Sequence, residues 1–337
     1  MDLDARLTVL GSLNMDISVT VPALPGPGAT VLGGAAAIAP GGKGANQAVA
    51  AARLGADSAI RVRMVGCVGD DDFGRTLRAT LTREGIDDRS VRTVPGAPSG
   101  IAMITVDESG ENMITVAPGA NHEVGAPEID ALGEPSAAEA ARVLVISAEV
   151  PVPVILAALG GASAPTAAPG STSDSGKTLT VLNLAPAPPG EVAAGILKAR
   201  PDWLVVNESE AAAVLGRPVV GLAEAARAAA DLVATGARNA VVTAGAAGAA
   251  YQCEDEGSSR TVAAFSIRAV DTVGAGDTFV GALAVALAGG IAPGEAVTAA
   301  AAAGATAAAR PGTQPGMPRP VDIRAVTGFA WPLDLAK

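Results

Sequence analysis

The apolar positions of the chain fall into short runs separated by polar and glycine-rich breaks. Residues 7–12 (LTVLGS) form a near-continuous apolar run closing on small residues, the pattern of a parallel strand buried on both faces. A Pro/Gly stretch at 22–28 marks a turn region behind it. From Gly44 to Gly55 the period changes: Ala45, Ala48, Val49, Ala52 and Leu54 make an apolar helical face, with Gly55 as its C-cap. Residues 63–68 are the next strand. Two short apolar segments, 101–106 and 112–116, flank the polar residues 107–111 and predict a hairpin. From Val143 onward strands and helices alternate. VLVIS precedes a helix beginning near Pro153, LTVLNL precedes another, WLVVN runs into ESEAAAVLG, and AVVTA runs into a loop and hairpin. This alternation predicts an α/β fold with a doubly wound, mainly parallel sheet flanked by helices. From Asp277 onward the chain is helical and alanine-rich.

A single domain over residues 1–330 with a small β appendage accommodates this order better than two domains do. Residues 163–177 (SAPTAAPGSTSDSGK) read as a flexible surface insertion between a helix and a strand. Hydrophobic residues make up 49% of the 337, enough for a large core. Lys and Arg number 23 against 34 Asp and Glu, a net charge of −11 with no basic cluster. Nucleic acid and anionic membrane are therefore poor partners. The most apolar late stretch, 296–309, is bounded by Glu295 and Arg310 and is shorter than the ~20 residues that span a bilayer. The acidic start has no signal-peptide pattern, so a cytoplasmic location is expected. Cys67 and Cys253 lie far apart and fit structural thiols in a reducing compartment. His122 is the only histidine, which excludes His-dependent triads and multi-His zinc sites.

Two glycine-rich segments carry the candidate chemistry. Gly41-Gly42-Lys43-Gly44-Ala45-Asn46-Gln47 opens a helix but is no Walker A motif, because Gly44 stands where Ser or Thr is required. No G-x-G-x-x-G occurs, so a dinucleotide fingerprint is absent. Asp271-Thr272-Val273-Gly274-Ala275-Gly276-Asp277-Thr278 also runs straight into a helix. Glycines there leave N–H groups aimed outward as an anion hole, and Asp277 at its mouth can orient and deprotonate a hydroxyl. The competing reading is a helix N-cap, which Asp commonly provides.

With these segments, Gly11-Ser12-Leu13-Asn14-Met15-Asp16, Asn183-Leu184-Ala185-Pro186-Ala187, Asn207-Glu208-Ser209-Glu210 and residues 243–248 occur in order. Across residues 6–325 the chain resembles the ribokinase branch of the PfkB carbohydrate kinases. The resemblance implies Asp277 as catalytic base with Gly274, Ala275 and Gly276 as the anion hole. It implies sugar contacts from Asn14, Met15, Asp16, Gly42, Lys43, Gly44, Ala45, Asn46 and Glu149. Nucleotide contacts are implied for Asn207, Thr243, Ala244, Gly245, Ala246, Ala247, Gly248, Gly276 and Asp277, with Glu210 facing Mg²⁺ through water. A K⁺ cage is implied at Asp271, Val273, Ala307, Arg310, Gly312 and Gly316, although Gly316 departs from a serine in the family pattern. The resemblance further implies a small β-sheet lid from segments near 12–40 and 97–120 and a homodimer joined through it. Each residue has a plainer alternative: solvent-facing strand positions for Asn14 and Asp16, a surface charge for Lys43, an ordinary carboxylate before Pro151 for Glu149, a helix cap for Asn207, a strand end for Thr243, and a Pro/Gly turn at 310–316.

Substrate class has a signal of its own. Lys and Arg are absent from 7–42 and from 93–141, so the lid offers no clamp for a phosphorylated sugar. Aromatic residues are absent from 1–72 and 74–202, which disfavours a nucleoside base. The resemblance, narrowed by these absences, implies transfer of the ATP γ-phosphate to O5 of D-ribose, with 2-deoxyribose or another sugar or nucleoside as the alternative. A non-catalytic sugar-binding regulator would lack Asp277 or the anion-hole glycines, and a dehydrogenase would need the missing fingerprint.

Overall fold

The computed structural model describes residues 5–58, 60–133, 141–163 and 178–334. Of the 163–177 insertion, residues 164–177 lie outside the described residues. The main sheet contains β1 (Ala5–Leu10), β4 (Ile60–Gly69), β5 (Asp87–Val94), β8 (Ala141–Ser147), β9 (Thr178–Asn183), β10 (Trp203–Asn207), β11 (Asn239–Thr243), β12 (Gly248–Cys253) and β13 (Arg260–Ala263). Their order is β13-β12-β11-β10-β9-β8-β1-β4-β5, with only β12 and β13 running antiparallel to their neighbours. A second sheet, β3-β2-β6-β7, comprises β2 (Asn14–Val21), β3 (Ala37–Gly41), β6 (Gly100–Asp107) and β7 (Asn112–Ala117). It joins β6 and β7 as the expected hairpin and pairs β2 with β6 in parallel.

The near-continuous apolar runs are explained by burial on both faces of the main sheet. In β10, Trp203 and Val205 enter one core while Leu204 and Val206 enter the other; in β8, Val145 and Ile146 divide the same way. One core lies under α1 (Lys43–Leu54), α2 (Asp72–Arg83), α8 (Ala275–Ala288) and α9 (Pro293–Ala308). The other lies under α4 (Val152–Ser163), α5 (Gly190–Leu197), α6 (Glu208–Leu215) and α7 (Gly221–Thr235). The helix predicted at 44–55 is α1, closed at Gly55. The remaining helices are α3 (Ala126–Leu132), α10 (Thr313–Gly316) and α11 (Pro320–Thr327). Among the described residues no helix is long and apolar enough to cross a membrane.

Cys67 on β4 and Cys253 on β12 are both buried and unbonded. Burial, with nearby carboxylates, pushes the Cys67 thiol up to about 12 and that of Cys253 up to about 11.

Candidate active site

Strand order reverses at β1. The chain leaves it for β4 and β5 on one side and returns through β8 on the other. In open α/β sheets the crevice beyond the carboxyl ends of strands at such a reversal is where ligands bind. Here the Ser12 hydroxyl, just past β1, donates to the Glu149 carboxylate, just past β8. The Lys43 backbone N–H donates to the same carboxylate oxygen at 3.2 Å. Glycines make this closeness possible. A Cβ on Gly44 would lie 2.6 Å from the Gly11 carbonyl carbon, and Gly42 sits at φ +88° with Asn14 N 2.6 Å from any Cβ. The start of α1 is thereby pressed against the end of β1.

Asp277 reaches the same crevice from α8. The N-cap of that helix is Gly274, in the left-handed region at φ 80°, and Asp277 lies three residues inside, so the capping alternative fails. Asn46 Nδ2 donates to Asp277 Oδ2 at 2.9 Å, and Gln47 Nε2 donates to Oδ1 at 3.2 Å. Both amides come from the N-terminal end of α1, at its fourth and fifth residues. The first-turn N–H groups of α8 have no partner four residues back within the helix and lie at its positive end, although the Ala275 N–H donates to the Thr272 carbonyl at 3.3 Å.

Four carboxylates surround one ammonium. Burial drives the Lys43 ammonium down, but Asp277, Glu149, Glu210 and Asp16 together hold it above its ordinary value. Burial, then the neighbouring charges of Glu149 and Asp277, push Asp16 up to about 7, against the opposing pull of Lys43. Burial also raises Glu210, offset in part by the Asn207 N–H and by Lys43. The missing side chain of Gly41 is the space the Asp16 carboxylate fills, with Oδ2 only 2.0 Å from where a Cβ would stand.

Two further groups border this cluster. Asn207 and Thr243 end adjacent strands in register. Asn207 Oδ1 accepts from the Glu210 N–H at 2.8 Å and its own N–H donates to Glu210 Oε2 at 2.8 Å, so the pair forms a capping box on α6. Thr243 leads into a turn over Gly245–Ala247 whose Ala246 and Ala247 are exposed; the Ala244 N–H donates to the Gly248 carbonyl at 2.8 Å. Asp271 Oδ1 accepts from the Val273 N–H and Oδ2 from the Gly312 N–H, each at 3.0 Å. A Cβ at Gly316 would face the carbonyl oxygens of Arg310, Pro311 and Ala307 at 3.3, 3.4 and 3.5 Å.

The model of the pfkB family of carbohydrate kinases matches residues 4–320. The chain belongs to this family. It is 36% identical over 284 residues to the ribokinase of Haemophilus influenzae, covering 83% of this chain and 85% of that protein. It is 34% identical over 280 residues to the deoxyribokinase of Salmonella typhi, covering 82% and 84%. The solved structure of Arabidopsis thaliana ribokinase complexed with ribose and ATP superposes with a TM-score of 0.78 at 26% identity, covering 96% of this chain and 99% of that one.

In this pfkB kinase the structure brings Asp16, Lys43, Asn46, Glu149, Glu210 and Asp277 to one crevice. Met15 and Ala45, by contrast, are 2% exposed and packed in the core. Residues outside the predicted set complete the surroundings. Asn121 clamps the start of β2: its Oδ1 accepts from the Leu13 N–H at 2.9 Å and its Nδ2 donates to Asn14 Oδ1 at 2.8 Å. Asn14 is thus buried and bonded rather than solvent-facing. Gln47 also donates to Asn183 Oδ1 at 2.9 Å. The only sequence signal for these residues is that Gln47 and Asn183 fall inside the ordered motifs.

Proposed function

We propose that the chain transfers the γ-phosphate of ATP to O5 of D-ribose, giving ribose 5-phosphate and ADP. The observation that carries this reading is the Asp277 carboxylate, buried at the head of α8 and held by Asn46 and Gln47. Each of its oxygens accepts one amide hydrogen and retains a lone pair for a substrate hydroxyl. Asp277 takes the proton of the O5 hydroxyl as the O5–phosphorus bond forms and the bond from phosphorus to the ADP oxygen breaks. The amides of Gly274, Ala275 and Gly276 face the charge that develops on the transferring group. Asp16, Asn14, Glu149 and the Lys43 segment hold the remaining hydroxyls, since carboxylates accept from vicinal diols twice over. Asn207 and residues 243–248 border the nucleotide.

Among the described residues no cluster of three His, Cys, Asp or Glu side chains could hold a metal by itself. Such a site suits Mg²⁺ arriving with the nucleotide phosphates, where it neutralises charge, with Glu210 reached through water. For K⁺ the donor set fits: carbonyl oxygens of Ala307 and Arg310 converge at Gly316, and Asp271 stands nearby. A K⁺ held by these oxygens would supply a fixed positive charge that orders this loop.

The basic-free lid segments favour an unphosphorylated sugar, and the likeness to a ribokinase bound to ribose and ATP supports ribose. The chain reads as one catalytic unit with the second sheet as its lid, acting in the cytoplasm. Ile38, Met103, Met113, Ile114 and Val116 are exposed on that sheet, which supports pairing of two lids in a homodimer. A monomer at micromolar concentration by light scattering would remove the pairing. The functional test is ADP release with ribose, 2-deoxyribose, fructose, fructose 6-phosphate and adenosine at equal concentration. Ribose should give the highest kcat/KM. A clear preference for adenosine or fructose 6-phosphate would overturn the assignment.

A further inference from the structure

Asn46 cannot choose freely how to orient its amide. Its Nδ2 faces the Asp277 carboxylate, which only accepts, so the NH₂ end is fixed on that side. Oδ1 then needs a donor, and it receives one from Gln314 Nε2 at 3.1 Å. The three groups form a directional chain, Gln314 to Asn46 to Asp277, across 268 and 231 residues of sequence. Gln314 is 6% exposed and sits in α10, a four-residue helix whose end at Gly316 borders the proposed K⁺ loop, and its side chain has no other part in the proposed reaction.

α10 is itself fixed at several points. Arg53, near the end of α1, donates Nη1 to the carbonyls of Gln314 at 2.6 Å and Met317 at 2.9 Å. The other edge of its guanidinium makes a two-point contact with Glu84, at 2.6 and 2.9 Å. The Gly312 N–H, at the N-cap of α10, is held by Asp271. Thr313 packs on Gly274, where a Cβ would stand 2.7 Å from Thr313 Cγ2. One short helix therefore touches the turn that starts α8, the loop before it, and the amide that orients Asp277.

We infer that Gln314 is a positioning residue: its side-chain amide locks Asn46, and through Asn46 the Asp277 carboxylate, in the orientation needed for proton removal. The inference rests on the proposed reading of Asp277 as base and adds a residue that does not touch substrate. Removing the donor leaves Asn46 Oδ1 buried without a partner and free to turn its amide away from Asp277.

The test uses the full-length enzyme with Gln314→Met, close in size but unable to donate, and Gln314→Ala as a second variant should Met fail to fold. Wild-type turnover of ribose is measured first; its absence would count against the proposed reaction, and the Gln314 comparison would then use the sugar that is turned over. Loss of this one hydrogen bond should lower kcat about 3- to 10-fold, with the KM for ATP changed less than about twofold. In an Asn46→Ala background, Gln314→Met should lower kcat no further, because the chain is already broken. Wild-type kcat in a folded Gln314 variant would overturn the inference. So would a loss that adds in full to that of Asn46→Ala, or a rise in KM with unchanged kcat.

Discussion

The two faces of the main sheet are built differently. On the face under α4, α5 and α7, helices meet the sheet through aliphatic side chains such as Leu144, Ile146, Ile155, Leu159, Leu182 and Leu232, with the alanines Ala225, Ala228 and Ala229 of α7 between them. On the opposite face, the seams among α1, α8 and α9 are made of small residues, with Ala50, Ala51, Ala282, Ala284, Ala299, Ala300 and Ala303 fully buried. Backbones approach closely there. A Cβ on Gly281 would stand 2.7 Å from the Gln47 carbonyl, and one on Gly304 would stand 3.1 Å from that of Ala275. The first face provides apolar area; the second fixes distances. Asp277 on α8 and the amides on α1 belong to the second, where their separation depends on backbone contacts rather than on side chains that can repack.

The largest effect should come from setting one residue of each face against the other. Asp277→Asn should lower kcat at least ~10²-fold with the fold retained, at a cost of about 1–3 kcal/mol because its new NH₂ must face the amide of Asn46 or Gln47. Leu159→Ala should destabilise by about 2–5 kcal/mol while kcat per folded molecule stays near wild type. Calorimetry and initial rates on both variants check the contrast. Near-normal turnover in folded Asp277→Asn would end the base assignment.

Asp16→Ala should raise the KM for ribose roughly 10- to 150-fold, the worth of one charge-assisted hydrogen bond, with the KM for ATP nearly unchanged. The ionised carboxylate is the better acceptor, so the wild-type KM for ribose should fall as pH rises through about 7. The sign for stability is opposite. Asp16 lies at about 7 in the fold against an ordinary 3.8, so its contribution is present below 3.8 and is lost as pH rises towards 7. Asp16→Asn should therefore flatten the decline in Tm between pH 5 and 8.

Gly281→Val forces a branched side chain into the close seam and should cost about 1–3 kcal/mol, with a fall in kcat as α1 and α8 separate. Ile155→Val on the aliphatic face should cost about 0.5–1.5 kcal/mol and leave kcat alone. Equal losses of kcat in the two variants would erase the distinction between the faces. The smallest effect concerns the loop at the end of α9. Activity should be several-fold higher in K⁺ than in Na⁺ at matched ionic strength, and Gly316→Ser should lower the K⁺ concentration required. Equal rates in K⁺, Na⁺ and a bulky organic cation would remove the cage.

Much of the fold was legible because parallel strands buried on both faces leave unbroken apolar runs, as at 143–147 and 203–207. α2 left no such mark, since only Gly74, Leu77, Thr80 and Leu81 are buried along its length. Asp277 was legible because glycines before a helix expose a reactive side chain locally. Its partners were not. Nothing in residues 41–47 indicates that Asn46 meets residue 314, because that contact exists only once α1, α8 and α10 have packed. Asn207 shows that the plain and the functional reading of a residue are compatible: it does cap α6, and the capping box it forms also anchors Glu210 beside the Lys43 cluster.

The two buried thiols bear on how such a molecule can be studied. Held at about 11 and about 12, they stay neutral across the working pH range, and only the anionic form of sulfur attacks maleimides or peroxide. Native sulfur, buried and with its thiolate disfavoured, should therefore react slowly with alkylating dyes. A single new cysteine on the exposed β7 strand, for example Thr115→Cys, would carry a fluorophore against a low background, turning the proposed pairing of lids into an optical signal without first deleting either natural residue.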